Sequence, residues 1–250
     1  MTTLTTTLSP AAYLKHLLAD GTRLAEAVSA ADPDHPVAAC PGWTARDVAV
    51  HTGAVYHHKL AILRLGRLPE KGEWATRPPD GTEPVAWFAA ALEQILEVLG
   101  NLDPDAPTMT WAGEQPIWFW HRRLAQETAV HRVDAESTLG GGEPIDNDLA
   151  LDGIDEVLDL FLTRHRDEQA APGSGERVLI RTGEYAWTVR LDVDRVQVQR
   201  GPGPSDAVIT ADPSDLLLWL WGRRPDNVMH VEGERAAAAA LRAALVTATQ

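Results

Sequence analysis

Glu127 and His131 stand four residues apart in a stretch with helical patterning, so their side chains leave one face about a turn from each other. Far upstream, His51 follows Val48 by three residues and precedes Val55 by four, which puts it on the apolar face of a second helical stretch. All three occupy positions where a helix bundle ordinarily carries leucine, and a polar group there must be hydrogen-bonded or must bind something. Two imidazoles and a carboxylate with a fourth position open form the ligand set of a catalytic zinc centre. Bundle cores build metal sites from such side chains on facing helices. A reading without metal uses the same residues: a buried histidine is more often a hydrogen-bonded core group, and Glu-x-x-x-His is often an exposed ion pair. Spacing alone leaves both readings standing.

Other groups lie near these three in sequence. Asp134, three residues after His131, either accepts a hydrogen bond from its second ring nitrogen or stands as a solvated helix acid. Cys40 precedes a helix start, where it is either an activated thiolate or a small apolar residue filling the Pro41-Gly42-Trp43 turn. His58 shares the face of His51 one heptad on, while His57, His121, His165 and His230 read as ordinary histidines.

The elements that must position these residues are legible in outline. Ser9-Pro10 opens a first helix, in which Leu14, Leu17, Leu18, Leu24, Ala25 and Val28 recur at helical spacing. Thr44, with Asp47 three residues on, resembles a capping box and opens a second helix through Val48, Val55 and Ile62. Residues 66–81, rich in Pro, Gly and charge, form a long connection. Thr82 caps a third helix, with Pro84 in its first turn and a stripe of Phe88, Ala91, Leu92, Ile95, Leu96 and Leu99. A fourth runs from Trp118 to Leu139 and stops at Gly140-Gly141-Gly142; a fifth covers Asp148 to His165. Four long amphipathic helices predict an antiparallel four-helix bundle.

Beyond Ala170 the texture changes. Arg177 to Arg181, Tyr185 to Leu191 and Arg195 to Arg200 are short β-branched segments, and Tyr185, Trp187, Val189 and Leu191 alternate at period two. A strand at Ala207 to Thr210, a helix at Pro213 to Gly222, a strand at Val228 to Val231 and an Ala-rich final helix follow. The predicted class is α+β: residues 1–168 form the bundle and 169–250 a small α+β domain, with the boundary near Gln169 to Glu176.

Bulk composition narrows the function. With 250 residues, 44% hydrophobic and 23% charged, the chain has ordinary globular composition. A net charge of −14 and the lack of any Lys/Arg-rich run argue against a nucleic-acid partner. Cys40 is the only cysteine, so no internal disulfide forms and nothing implies an oxidising compartment. The N-terminus lacks the marks of a signal peptide, and no apolar run approaches the roughly 20 residues of a membrane span. The expectation is a cytoplasmic protein, monomer or homodimer, whose partners are small molecules rather than membranes or nucleic acids.

The run Cys40-Pro41-Gly42-Trp43-Thr44-Ala45-Arg46-Asp47-Val48-Ala49-Val50-His51 resembles the opening motif of the mycothiol-dependent maleylpyruvate isomerase family, a branch of the DinB-like metal-binding bundles. Gln126-Glu127-Thr128-Ala129-Val130-His131-Arg132-Val133-Asp134-Ala135-Glu136 resembles its second motif. Pro144-Ile145-Asp146 and Asp152-Gly153-Ile154-Asp155-Glu156 also look like the family. Leu216 to Arg223 and Val231-Glu232-Gly233 are similar to its second domain, which resembles sterol carrier protein folds. The resemblance spans nearly the whole chain in the same order.

It implies a DinB-like bundle followed by a sterol-carrier-like domain, with a divalent metal, zinc before others, held by His51, Glu127 and His131. It also implies mycothiol or a similar low-molecular-weight thiol as cosubstrate, attacking an electrophilic small molecule as in maleylpyruvate cis-trans isomerisation. Thiol S-transfer on the same scaffold and a non-catalytic metal- or ligand-binding module are the alternatives. Because the family's thiol comes from a cofactor, Cys40 is expected to be a packing residue. A carboxylate substrate needs a cation, and Arg223, facing the bundle from the second domain, is the candidate. Its other reading is a solvated helix-end arginine favoured by the dipole. Trp118, Trp120, Trp219 and Trp221 either wall the cleft or, more simply, pack the core.

Overall fold

The computed structural model describes residues 7–164 and 173–249. Packing divides the chain into two units, Leu8–Ile145 and the part from Asp146 onward. The expected boundary at 168/169, and the expected end of the fifth helix at His165, lie outside the described residues.

Four helices make up most of the first unit: α1 (Pro10–Ala30), α2 (Ala45–Leu65), α3 (Pro84–Asn101) and α4 (Trp118–Ser137). Ser9 caps α1 by accepting from the Ala12 N–H at 3.2 Å. The capping box of α2 closes as its sequence indicates, with the Thr44 N–H donating to Asp47 Oδ2 at 2.8 Å. Gly66 ends that helix at φ 66°, a conformation that favours glycine. The cap of α3 is Glu83 rather than Thr82, because the Thr82 N–H is held in a turn by the Pro79 carbonyl at 3.0 Å. Between α3 and α4 runs a short hairpin, β1 (Pro107–Thr110) and β2 (Gly113–Pro116), of which the helical patterning gives no sign. The Thr110 hydroxyl donates to the Gly113 carbonyl at 2.8 Å and accepts from the Ala112 N–H at 2.9 Å, which fixes its tight turn.

Helix α1 packs on α4 and α3, and α2 packs on α3 and α4. Tyr13, Leu17, Leu24, Val48, Tyr56, Ile62, Phe88, Ile95 and Leu124 are fully buried between them. Gly53 allows the closest approach: a Cβ there would stand 2.5 Å from Trp87 Cζ3. Arg132, 1% exposed, ties α4 down. Its Nε donates to Asp20 on α1 at 3.0 Å and its Nη1 to Glu136 at 2.8 Å, while the Glu143 carbonyl accepts from Nη1 and the Pro144 carbonyl from Nη2.

The second unit begins with α5 (Asn147–Glu156), continued by a π-helical turn at Val157–Leu162. Five strands follow: β3 (Glu176–Thr182), β4 (Tyr185–Leu191), β5 (Val196–Arg200), β6 (Ala207–Thr210) and β7 (His230–Gly233). Their sheet order is β5-β4-β3-β6-β7, antiparallel except for β3 beside β6. Helices α6 (Pro213–Leu220) and α7 (Arg235–Thr249) complete the unit. Here α5 packs on α6, and α7 lies against β3 and β6. One bond shows why α5 groups with the sheet: the Trp187 indole N–H on β4 donates to Asp155 Oδ1 at 2.6 Å. Arg200 on β5 meets the other carboxylate oxygen at 2.7 Å, so the buried Asp155 is neutralised from the sheet. Among the described residues, no helix is long and apolar enough to cross a membrane.

Candidate metal centre

The three residues singled out by type and spacing converge within the first unit. His51 on α2 and His131 on α4 both aim Nε2 at one oxygen of Glu127, at 3.2 and 3.3 Å from Oε1. All three donor atoms lie within 4.8 Å of one another. These separations are long for N–H···O hydrogen bonds, which centre near 2.9–3.0 Å. Four ligands placed tetrahedrally about 2.0–2.1 Å from zinc stand about 3.3 Å apart, and the observed spacings match that edge. Two imidazole nitrogens and a carboxylate oxygen are also the donors zinc takes at sites that keep a position open. The residues therefore fit a divalent ion.

Supporting contacts hold the donors in place. The Nδ1 of His131 lies 2.9 Å from Asp134 Oδ2, so Asp134 is the orienting acceptor rather than a solvated acid. The Cys40 thiol donates to that same oxygen at 3.4 Å, a packing and hydrogen-bonding role in keeping with its place in the turn before α2. Arg123, 4% exposed and one turn before Glu127, donates to Glu127 Oε2 at 2.9 Å. The Trp43 ring covers both imidazoles, with centroids 4.7 Å from His51 and 5.7 Å from His131. Side-chain exposure is 38% at His51 and 8% at His131, so the centre opens to solvent on the α2 side.

The charges are strongly coupled. Burial pushes the Glu127 carboxyl upward, but hydrogen bonds from His131 and His51, with the charges of His131 and Arg123, outweigh it and hold the group well below the usual range. Burial likewise opposes a charge on His131, yet hydrogen bonds to Asp134 and Glu127 raise it to about 9. This is what a cationic partner does for a carboxylate.

The other candidates have contacts of their own. Arg223 lies in the second unit just past α6, where its Nη1 donates to the Trp221 carbonyl at 2.8 Å. His58 contacts Lys59 at 2.9 Å and the Trp74 ring at 4.7 Å rather than His51 or His131. Trp120 and Trp219 are core residues, as packing alone would have them. Sequence reasoning passed over Trp43 and Arg123. The signal for Arg123 was present, since it precedes Glu127 by the same four residues that separate Glu127 from His131.

Comparison with known proteins adds to this geometry. Residues 14–136 match the mycothiol maleylpyruvate isomerase N-terminal domain, and residues 148–240 match the C-terminal domain of the same family. Two solved structures share the fold. A crystal structure of the mycothiol-dependent maleylpyruvate isomerase is 13% identical, with TM-score 0.60, over 91% of this chain and 95% of that one. A histidine-to-alanine mutant of it is 12% identical, with TM-score 0.62, over the same shares. None of the curated proteins matches the sequence.

Proposed function

This chain belongs to the mycothiol maleylpyruvate isomerase family, a family of enzymes, and from that premise we propose that it catalyses the thiol-dependent isomerisation of an electrophilic small acid. The observation that carries the reading is the convergence of His51 Nε2, His131 Nε2 and Glu127 Oε1 on one point. These three residues would hold a divalent ion, zinc by the nature of the donors. When bound, the ion supplies positive charge that favours thiolate over thiol at neutral pH.

The chain's own residues prepare that chemistry. Asp134 takes the Nδ1 proton of His131 as a hydrogen bond and so leaves Nε2 as the ligating atom. Arg123 fixes the carboxylate plane of Glu127 through Oε2, reserving Oε1 for the cluster. Trp43 covers both imidazoles and limits water on that side. A thiolate sulfur adds to one carbon of a cis carbon–carbon double bond conjugated with a carbonyl, and the electron pair moves onto the carbonyl oxygen. The former double bond is then single and rotates; return of the pair expels the thiolate and leaves the trans isomer. A thiol cosubstrate suits a reducing compartment, and we place the protein in the cytoplasm on that ground.

The test is to incubate the zinc-loaded protein with mycothiol or another small thiol and a cis-enedioyl acid, and to follow the enoyl absorbance and product mass. A thiol-dependent change with unchanged mass supports isomerisation. A mass increased by that of the thiol moves the assignment to S-transfer. No change with any pairing leaves a binding module.

A further inference from the structure

The α2–α4 seam that holds the metal cluster has a second polar feature at its other end. The helices run antiparallel along it, as the contacts of His51 with Glu127 and of Lys59 with Trp120 show, and Tyr56 meets Thr128 between them at 2.6 Å. Eight residues at about 1.5 Å each place Lys59 about 12 Å along α2 from His51. Its ammonium lies 5.1 Å from the Trp120 ring centroid and 5.8 Å from that of Trp111, in the hairpin turn. Its hydrogen-bond partner is the His58 ring nitrogen at 2.9 Å, and among the described residues no carboxylate comes within ion-pair distance. Trp120, fully buried, has an indole N–H with no acceptor among the described residues. Burial, against the pull of Glu127 and with the push of Arg123, lowers the Lys59 pKa to about 8.

A half-buried cation without an anion lies beside an indole whose buried N–H has no acceptor among the described residues, and the two lack the same thing. Each is completed by a carboxylate, which accepts from both. Two alternatives fit less well. A second cation is repelled by Lys59 and Arg123, and a purely apolar ligand leaves both donors unmet. Trp111, 42% exposed, offers a flat apolar face beside the ammonium, suited to a conjugated chain.

We infer that Lys59 and the Trp120 indole N–H form an anion subsite that takes a carboxylate of the electrophilic substrate, with Trp111 against its conjugated body. The inference rests on the proposed thiol-dependent reaction and makes Lys59 its specificity determinant: the acid end lies at Lys59 and the reacting carbons toward His51 and Glu127. It assigns the protein to dicarboxylic or longer monocarboxylic enoyl acids, and against their esters.

The test compares the parent with Lys59→Met, Lys59→Arg and Trp120→Phe, all zinc-loaded and checked for parent-like circular dichroism and zinc content. Maleate and its dimethyl ester are titrated against tryptophan fluorescence, and KM is measured with the enedioyl acid. The parent should bind maleate over the ester. Lys59→Met should lose about tenfold or more in maleate affinity, raise KM by a similar factor and abolish the preference for acid over ester. Lys59→Arg should retain most of the affinity, and Trp120→Phe should weaken acid binding while keeping the ring. Equal affinity and KM in parent and Lys59→Met, or no maleate binding by the parent, would overturn the subsite. Charge-selective binding lost in Lys59→Met, without turnover by the parent with any thiol, would uphold the subsite and overturn the proposed reaction.

Discussion

The imidazole of His131 is held from both ends: Nδ1 lies 2.9 Å from Asp134 Oδ2, while Nε2 lies 3.3 Å from Glu127 Oε1. A ring fixed in this way presents one nitrogen to an ion and cannot exchange it for the other. Asp134→Asn keeps the size of the side chain but removes the charge that sets the tautomer. Zinc affinity should fall about 10- to 100-fold, read by competition with a chromophoric chelator. Parent-like affinity would show that Asp134 serves packing alone.

Loss of a ligand should be more severe. His51→Ala and Glu127→Ala each remove one of the three donors, and the zinc-to-protein ratio after dialysis should drop well below that of the parent. Elemental analysis of the purified variants gives the answer, and wild-type zinc content in both would refute the ligand assignment.

In the second unit, Asp155→Ala strips the acceptor from the Trp187 indole and the counter-charge from Arg200. Both partners would stay behind beside an apolar gap. The unit should lose about 2–4 kcal/mol, measured by urea unfolding. A change under about 1 kcal/mol would mean that water replaces the carboxylate freely.

Acid should destabilise the protein well before its carboxylates titrate. Burial lowers the imidazole pKa of His57 and His121; burial, with the charge of Lys59, takes His58 down to about 4. Below about 6.5 the unfolded chain binds protons that these folded imidazoles refuse, so stability falls as pH drops from there toward about 4. The urea midpoint of the metal-free protein should therefore decline steadily across that window. His58→Asn should recover part of the decline, whereas a flat profile would contradict the assignment.

Much of this was legible in the sequence, and the exceptions have physical causes. Caps are local chemistry, so Ser9 and the Thr44/Asp47 box announced their helices correctly. The proposed ligands stood out because a carboxylate and two imidazoles occupied helix positions suited to leucine, and the structure brings the three together. Helix α4 as a whole was harder to read, since it is buried on nearly every side. Arg123, Arg132, Asp134 and Glu136 are each at most 9% exposed, and paired charges inside a protein look like surface charges in a sequence. Lys59 and Trp43 escaped notice for another reason: what they touch comes from a hairpin and a distant helix, and no spacing rule reaches that far. Similarly, α5 reads as one more helix of the bundle until Asp155 is seen to answer Trp187 and Arg200.

Arg132 sits directly after His131, yet it points its guanidinium to other partners, on α1 and on the loop ending at Pro144. That grip sets the azimuth of α4. Any roll of the helix about its own axis would have to tear Arg132 from Asp20 and from two backbone carbonyls before Glu127 and His131 could swing away. The aim of the three donor side chains is thus locked by a latch that is not one of them, and substitutions at Asp20, far along the sequence, should detune it without altering any of the three.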